Sequence, residues 1–191
     1  MSVLLGPGIN IKRSPLCGRN FEYFSEDPYL AGQLGSSYVQ SLQGTGVAAC
    51  LKHFAANSQE THRQTADSRI DPRALREIYL SAFETVIKTA KPASVMAAYN
   101  KLNGTYACEN RSLLTDILRR EWGFDGAVIS DWGACTNLTR ALRAGMDLEM
   151  PDSRGIHKKL LRRDLAAGKI DPAAIDTAAH RVAKLADTYA V

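Results

Sequence analysis

Short apolar runs alternate with segments of helical periodicity along most of the chain. The runs cover residues 3–5, 47–51, 94–98, 127–130 and 145–150. Runs of this length, bounded in several cases by glycine or proline, are typical of strands that are buried on both faces of a parallel sheet. Strand and helix follow each other without a series of hairpins, so the pattern predicts an α/β protein of about five strand–helix units.

The sequence indicates where several helices begin. The dipeptide Asp-Pro precedes a helical pattern at residues 27, 71 and 171, with the aspartate as N-cap and the proline at the first helical position. Ser112 begins a further helix. The apolar side chains that recur at helical spacing, helix by helix, are Leu30, Leu34, Tyr38 and Leu42; Leu75, Ile78, Tyr79, Phe83 and Val86; Leu113, Leu114, Ile117 and Leu118; Ile156, Leu160, Leu161 and Leu165; and Ile175, Val182 and Leu185.

Composition limits the classes of function. The chain has 191 residues, 45% of them hydrophobic, which suffices for one domain with a sizeable core. The net charge of +4 comes from dispersed basic residues rather than from a stripe interleaved with aromatic rings, so we expect no nucleic-acid partner. No run is long enough to cross a bilayer and no signal peptide is visible, from which we expect no membrane partner and a cytoplasmic location.

The cysteines form no recognisable pair or metal motif. Cys17, Cys50, Cys108 and Cys135 show no CxxC spacing and none of the spacings with histidine that metal sites use. We therefore expect free thiols in a reducing compartment.

Polar side chains cluster where the apolar runs end. The pairs at the ends of three successive runs are Lys52-His53, Tyr99-Asn100 and Asp131-Trp132. In an open doubly wound sheet only the strands beside the switch point carry a site, whereas in a barrel all strand ends converge on one mouth. We therefore predict an incomplete (β/α)8 barrel of the TIM type that begins some strands in.

Two of these residues allow more than one interpretation. Asp131 could be a catalytic carboxylate at the end of a buried strand, or it could cap the helix that follows. Lys52 could bind a ligand as a cation, form a Schiff base with a carbonyl substrate, or be a solvated lysine. The residues alone leave these alternatives open.

Longer motifs connect the strand ends to a known family. They read, in chain order, LLGPGINIKRSPLCGRNFEYFSEDP, KHFAANSQETHR, MAAYNKLNG, EWGFDGAVISDWGA and AGMDLEMP. Over almost the whole chain they resemble the β-glucosidase-like members of glycoside hydrolase family 3. The resemblance implies a (β/α)8 barrel or a collapsed variant of it. It also implies a retaining mechanism, in which one carboxylate attacks the anomeric carbon and a second protonates the leaving oxygen.

The resemblance assigns roles to individual residues. It implies that Asp131 is the nucleophile, kept ionised by cationic neighbours, and that Lys52 and His53 form a sugar-binding pair. Arg19 and Arg63 match arginines that hold the sugar and the neighbouring basic pair, although either could instead be a surface salt-bridge partner.

Three further matches have packing alternatives. Tyr99 matches a tyrosine that orients the nucleophile through its hydroxyl, or it could plug the barrel mouth. Trp132 matches a ring that stacks on sugar at the entrance, or it could pack in the core. Met96 is a weaker match to a substrate-binding residue and could merely pack.

The resemblance also implies that parts of the catalytic machinery lie outside this chain. The acid/base glutamate of the family belongs to a second, α/β sandwich domain, and an aspartate that grips the outer hydroxyls belongs to earlier strands. Residues 1–191 are therefore expected to form a single partial domain with open sheet edges and an exposed apolar interior. His62 lies on the loop where N-acetylglucosaminidases of the family carry a histidine acid/base, but without their glycine-flanked motif it is interpreted as an ordinary loop residue.

The predicted function is that of a catalytic-domain fragment of a retaining β-glucosidase. It would hydrolyse terminal β-D-glucosyl residues of β-glucosides or oligosaccharides through a covalent intermediate on Asp131. Because two carboxylates suffice for this mechanism, we expect neither a metal nor an organic cofactor. We expect little turnover from the fragment alone and a need for the C-terminal sandwich domain. The alternatives are an inactive sugar-binding fragment, another family specificity such as xylosidase or N-acetylglucosaminidase, and a Schiff-base enzyme that uses Lys52.

Overall fold

A parallel sheet forms the centre of the molecule. The computed structural model describes residues 2–189. Its strands are β1 (Val3–Leu4), β2 (Ala48–Phe54), β3 (Asp67–Ser68), β4 (Ser94–Ala97), β5 (Lys101–Leu102), β6 (Thr105–Tyr106) and β7 (Ala127–Ser130). Strands β1, β2, β4 and β7 pair in that order, and every pair is parallel. All four strands therefore end at the same edge of the sheet, as the alternation of strand and helix predicts.

The fifth strand predicted at residues 145–150 is reduced to a single bridge between Ile129 and Leu148. The cause is Asp147, whose Oδ2 accepts the Val128 N–H at 2.7 Å. The side chain occupies a donor that a regular ladder would pair with a backbone carbonyl. The prediction of a full strand is therefore wrong, although the segment lies alongside β7.

The helices begin where the Asp-Pro pairs predict. The α-helices are α1 (Pro28–Gly44), α2 (Pro72–Ala74), α3 (Ser81–Ala90), α4 (Leu138–Ala144), α5 (Ile156–Ala166) and α6 (Pro172–Tyr189). Wider π-helical turns cover Leu75–Tyr79 and Ser112–Glu121, and a 3₁₀ turn covers Ala107–Glu109. Each of the three aspartates accepts a backbone N–H of the first turn with its side chain, at 2.9 or 3.0 Å. This is the capping contact expected of them.

The apolar face predicted for α1 is wrong. Leu30, Leu34 and Tyr38 are 46%, 42% and 40% exposed. The buried residues of this helix are small: Ala31, Gly32, Gly35, Ser36 and Val39. A Cβ on Gly35 would lie 3.0 Å from side-chain atoms of both Ile9 and Val86. Small residues let α1 pack closely against α3, while the three large side chains above face solvent and Leu42 alone of the predicted four is half-buried against the core.

The other predicted helix faces are confirmed in part. In Ser112–Glu121 the four expected leucine and isoleucine side chains are buried, and so are Phe83 and Val86 in α3. Ile78 is exposed because it lies in the π-helical turn before α3, where the angular spacing of side chains differs from that of an α-helix. The stripe predicted for α5 is wrong, since Ile156 and Leu160 are exposed. In α6 the predicted side chains are half-buried.

The inner face of the sheet is covered, contrary to the expectation of an exposed interior. Cys50, Met96 and Ile129 lie on β2, β4 and β7 and are buried. The residues that pack against them come from β1, from the segment after Asp147 and from α6: Val3, Leu148, Met150 and Leu185. One apolar cluster is thus covered by both edges of the sheet and by the last helix.

A second, small sheet joins two loops at the carboxyl edge. Strand β3 pairs with β5 in parallel, and β5 pairs with β6 in antiparallel fashion around Asn103 and Gly104. Those two residues have φ angles of 49° and 90°, which confirms the predicted tight turn. The small sheet ties the loop after β2 to the loop after β4. Within residues 2–189 no helix is long and apolar enough to span a membrane, and the four cysteines are buried free thiols.

Candidate active site

Asp131 follows β7 directly, and its two carboxylate oxygens have different contacts. Oδ1 accepts the Trp132 N–H at 2.7 Å. Oδ2 is buried and has no hydrogen-bond partner among the residues that the structure describes. His53 Nε2 lies 3.6 Å from Oδ2 and Arg19 Nη1 lies 3.7 Å from it. A buried oxygen without a partner is unusual and marks a place where a ligand atom can bind.

The alternative that Asp131 caps the next helix is excluded by the structure. Helix α4 begins at Leu138, and its N-cap is Asn137, whose Oδ1 accepts the Arg140 N–H at 3.0 Å. Asp131 is separated from this helix by a loop.

Burial raises the pKa of Asp131 above the usual value for an aspartate. The Trp132 N–H and the cations Arg19, Arg63 and Lys52 act in the opposite direction, but they do not outweigh desolvation. The cations therefore act in the direction that the sequence predicts for them, by limiting the rise in pKa that burial causes.

His53 is neutral and held from both sides. The Asn10 side chain contacts its backbone twice: Oδ1 accepts the His53 N–H at 2.7 Å and Nδ2 donates to the His53 carbonyl at 2.9 Å. Burial and, to a smaller extent, the nearby cations together lower the pKa of the imidazole to about 2. The contact with Asp131 is therefore not a salt bridge.

The environment of His53 indicates its tautomer. Tyr23 Oη lies 3.0 Å from Nδ1, while Nε2 faces the carboxylate of Asp131. A lone pair on Nε2 would oppose that anion, so we place the proton on Nε2 and let Tyr23 donate to Nδ1. His53 thus presents an N–H to the space beside Oδ2.

Glu22 organises two of the predicted cations and was missed in the sequence. It accepts the Arg19 Nε–H with Oε1, and its Oε2 lies 3.1 Å from Lys52 Nζ. A Schiff-base lysine needs its nitrogen free to attack a carbonyl, so the contact with Glu22 argues against that interpretation of Lys52. In the sequence, only the spacing of three residues between Arg19 and Glu22 indicated that Glu22 would form this ion pair.

A further side of the site is formed by three residues, Arg63, Tyr99 and Trp132. The Arg63 guanidinium lies over the Tyr99 ring, 4.3 Å from its centroid, and Nη1 donates to Glu60 Oε2 at 2.8 Å. The Tyr99 hydroxyl donates to the Trp132 carbonyl at 2.6 Å, so it fixes the peptide next to Asp131. The Trp132 ring is 63% exposed, which excludes core packing.

Two residues lie apart from this group. Met96 is buried in the apolar cluster on the inner face of the sheet. His62 is exposed, and its side chain makes no hydrogen bond within residues 2–189. The remaining residues bring three cations, an imidazole N–H and a free carboxylate oxygen together. That set suits a polyhydroxylated ligand and repels a metal cation.

Comparison with known proteins identifies the family. The family model described as "Glycosyl hydrolase family 3 N terminal domain" matches residues 1–185. This chain belongs to glycosyl hydrolase family 3. The resemblance noted in the motifs and the incomplete barrel are thereby confirmed.

Relatives in family 3 are similar over most of this chain. Thermostable beta-glucosidase B of Acetivibrio thermocellus is 55% identical over 185 residues, which are 97% of this chain and 24% of that protein. An exo-alpha-(1->6)-L-arabinopyranosidase of Bifidobacterium longum is 58% identical over 153 residues, 80% of this chain and 20% of that protein.

Solved structures agree with this assignment. Beta-glucosidase 3B from Thermotoga neapolitana in complex with glucose superposes with a TM-score of 0.94 at 47% identity, over 98% of this chain and 27% of that one. The chain thus spans about a quarter of the length of the relatives it matches.

Proposed function

We propose that this chain carries the nucleophile and most of the sugar-binding wall of a retaining β-glycosidase. The observation that supports this most directly is Asp131 Oδ2, a buried carboxylate oxygen that faces His53 and Arg19 and has no hydrogen-bond partner in the described part of the chain. Because Oδ1 is held by the Trp132 N–H, Oδ2 is the oxygen free to attack.

The reaction has two displacements. Oδ2 of Asp131 bonds to the anomeric carbon as the bond to the leaving oxygen breaks, and an acid protonates that oxygen. Water then attacks the same carbon, its proton passes to the conjugate base, and the carboxylate of Asp131 is released. Two inversions give net retention, and no cofactor takes part.

The acid comes from outside the described chain. In retaining enzymes it lies roughly 5 Å from the nucleophile. The acidic side chains in this network are Glu22, which engages Arg19 and Lys52, and Glu60, which engages Arg63 and Asn57. Both serve to position cations. A glutamate of a C-terminal sandwich domain, as the family resemblance implies, remains our proposal for the acid.

The proposed substrate is a terminal β-D-glucoside. Relatives named beta-glucosidase and neighbours solved with glucose support this choice. A second candidate is an α-L-arabinopyranoside, because two Bifidobacterium relatives at 58% and 52% identity carry that name. An arabinopyranoside lacks the exocyclic hydroxymethyl group of glucose, so comparing hydrolysis rates for the two nitrophenyl glycosides by the longer protein separates the candidates.

Trapping of the covalent intermediate tests the proposal. We expect 2,4-dinitrophenyl 2-deoxy-2-fluoro-β-glucoside to label the 191-residue chain once, on Asp131, as read by mass spectrometry of peptides. Its leaving group departs with little acid assistance, so the missing acid does not prevent labelling.

The matched control is Asp164→Asn. Asp164 is as buried as Asp131 but lies on α5 and contacts Thr139. Asp164→Asn should be labelled as the unaltered chain is, and Asp131→Asn should not. Labelling of a folded Asp131→Asn chain at an unchanged rate would refute the assignment, and binding of a glucose-like iminosugar without labelling would favour a sugar-binding fragment.

The isolated chain is also expected to stall. With 2,4-dinitrophenyl β-glucoside it should release about one equivalent of 2,4-dinitrophenolate. Turnover should then stop, because the described chain supplies no base that activates water for the second step. Sustained hydrolysis of nitrophenyl β-glucoside that is lost in Asp131→Asn would show that the acid/base lies within the chain.

A further inference from the structure

Three side chains of the kind that bind transition metals converge beside the barrel mouth. Cys135, Glu149 and His157 each offer one ligand atom, and the three atoms lie within 4.8 Å of one another. They come from the loop after β7, from the segment alongside β7 and from the first turn of α5. None of them belongs to the network around Asp131.

The cluster is partly buried and well supported. Cys135 is buried, and Glu149 and His157 are half-buried. Glu149 Oε1 lies 2.5 Å from His157 Nδ1, and the His157 N–H donates to Ser153 Oγ at 2.9 Å. The segments that carry the ligands are also connected, since the Gly133 N–H donates to the Met150 carbonyl at 2.8 Å.

We propose that Cys135, Glu149 and His157 form a binding site for one Zn²⁺ ion. Thiolate sulfur, imidazole nitrogen and carboxylate oxygen are the ligands that this ion takes, at about 2.0–2.3 Å in tetrahedral geometry. Tetrahedral ligand atoms lie roughly 3.3–3.8 Å apart, so the ion would separate the Glu149–His157 pair slightly and draw Cys135 inward. Water or a further ligand would fill the fourth position.

A nucleophilic cysteine is the main alternative for this set of residues, and the structure argues against it. Cys135 is only 7% exposed, so its sulfur is shielded from solvent. A catalytic cysteine needs an accessible sulfur. A bound metal ion, in contrast, would supply positive charge to a buried thiolate.

The consequence would be a brace across the mouth. One ion would join three segments, namely the loop that follows Asp131 and Trp132, the segment alongside β7 and the start of α5. Zn²⁺ binding should therefore raise the melting temperature of the chain without any contribution from the residues that face the sugar.

Titration with Co²⁺, which reports thiolate ligation by a charge-transfer band, tests the site. For the whole 191-residue chain we expect one equivalent to bind with that band, and Zn²⁺ to displace it. Cys135→Ser and His157→Ala should each weaken binding at least about ten-fold. Cys17→Ser, at a similarly buried thiol, and His62→Ala, at a loop histidine, should leave it unchanged.

The outcomes that would overturn the proposal are equally definite. They are no charge-transfer band, or a band that persists in Cys135→Ser. Circular dichroism monitors folding of each variant, and Glu149→Gln provides a second substitution that keeps the size of the side chain. Equal Zn²⁺ stabilisation of Glu149→Gln and the unaltered chain would show that the ion binds elsewhere.

Discussion

Two buried aspartates, Asp131 at the barrel mouth and Asp147 beside β7, differ in how their charges are satisfied. They are 7% and 9% exposed, and burial raises the pKa of both. Asp147 has partners on each oxygen: Arg119 at 2.6 Å and the Val128 N–H at 2.7 Å on Oδ2, and Arg181 at 3.1 Å on Oδ1. Within residues 2–189, Asp131 has a hydrogen-bond partner on Oδ1 only.

The difference separates a structural carboxylate from one that is available for chemistry. Desolvation acts on both groups alike, so the pKa shift does not distinguish them. The hydrogen-bond partners distinguish them. Both oxygens of Asp147 are occupied, and its two arginines connect β7 to Ser112–Glu121 and to α6. Asp131 has one oxygen without a partner in the described residues. Between these two aspartates, the unpartnered oxygen is therefore a better distinction than the pKa shift.

The largest expected effect on stability is that of substituting Asp147. Asp147→Asn leaves Arg119 and Arg181 without their anion, and we expect it to lower the free energy of unfolding by about 3–5 kcal/mol. Asp131→Asn should change it by less than about 1 kcal/mol, because Oδ1 can still accept the Trp132 N–H. Urea denaturation of both variants measures this. Equal losses would remove the distinction between the two aspartates.

The pH dependence of stability tests the buried, neutral state of His53. Its pKa is about 2 in the folded chain against an ordinary value of 6.5, so between these values the unfolded chain binds more protons. Stability should fall as the pH decreases from 7 to 5, by about 2 kcal/mol from this residue. The raised pKa values of Asp131 and Asp147 act in the opposite direction, over the range from the ordinary aspartate value of 3.8 up to the raised values.

The contribution of His53 is isolated by comparison with His53→Gln. Urea denaturation at several pH values should show a flatter dependence for the variant over this range. An unchanged slope would mean that the imidazole is protonated in the folded chain and pairs with Asp131 as a cation.

A smaller effect is expected at Tyr99, whose hydroxyl holds the peptide between the nucleophile and the exposed ring. Tyr99→Phe keeps the ring under Arg63 and removes the hydrogen bond to the Trp132 carbonyl, which should cost about 1 kcal/mol of stability. The rate of fluoroglucoside labelling should fall by more than the roughly five-fold that 1 kcal/mol corresponds to. Tyr106→Phe is the control, because Lys101 lies over its ring and its hydroxyl makes no hydrogen bond within residues 2–189.

The smallest effect is expected at Lys184, which shares α6 with Arg181. Its Nζ lies 2.9 Å from Asp125 Oδ2, and both side chains are exposed. Lys184→Ala should lower stability by at most about 0.5 kcal/mol, and high salt should abolish the difference. A loss comparable to that of Asp147→Asn would mean that α6 as a whole, rather than the buried arginine pair, stabilises this side of the molecule.

The fold was predictable where one residue type dominates the local energetics. Aspartate caps located three helices, and buried runs located the strands, because both signals are local. The face of α1 was not predictable from apolar spacing, because close packing at Gly35 depends on Ile9 and Val86, which are distant in the sequence. The fifth strand failed for a similar reason, since the side chain of Asp147 takes a backbone donor.

The site was predictable only as far as its motifs reach. Asp131, Lys52 and His53 stand at strand ends and in recognisable motifs. Glu22 and Asn10 were missed, since their contacts with Arg19, Lys52 and the His53 backbone arise from chain folding rather than from spacing. The sign of the pKa shift at Asp131 also required the structure, because it depends on how much water burial removes.

The two tryptophans give this molecule a built-in optical assay. Trp132 is open to solvent beside Asp131, whereas Trp122 is buried against Phe54, with ring centroids 5.8 Å apart. Their emission should therefore resolve into a red-shifted component that iodide quenches and a blue-shifted component that it does not reach. A sugar that covers the mouth would protect only the first, and unfolding would merge the two. Ligand occupancy and global unfolding can thus be followed separately in one unlabelled sample.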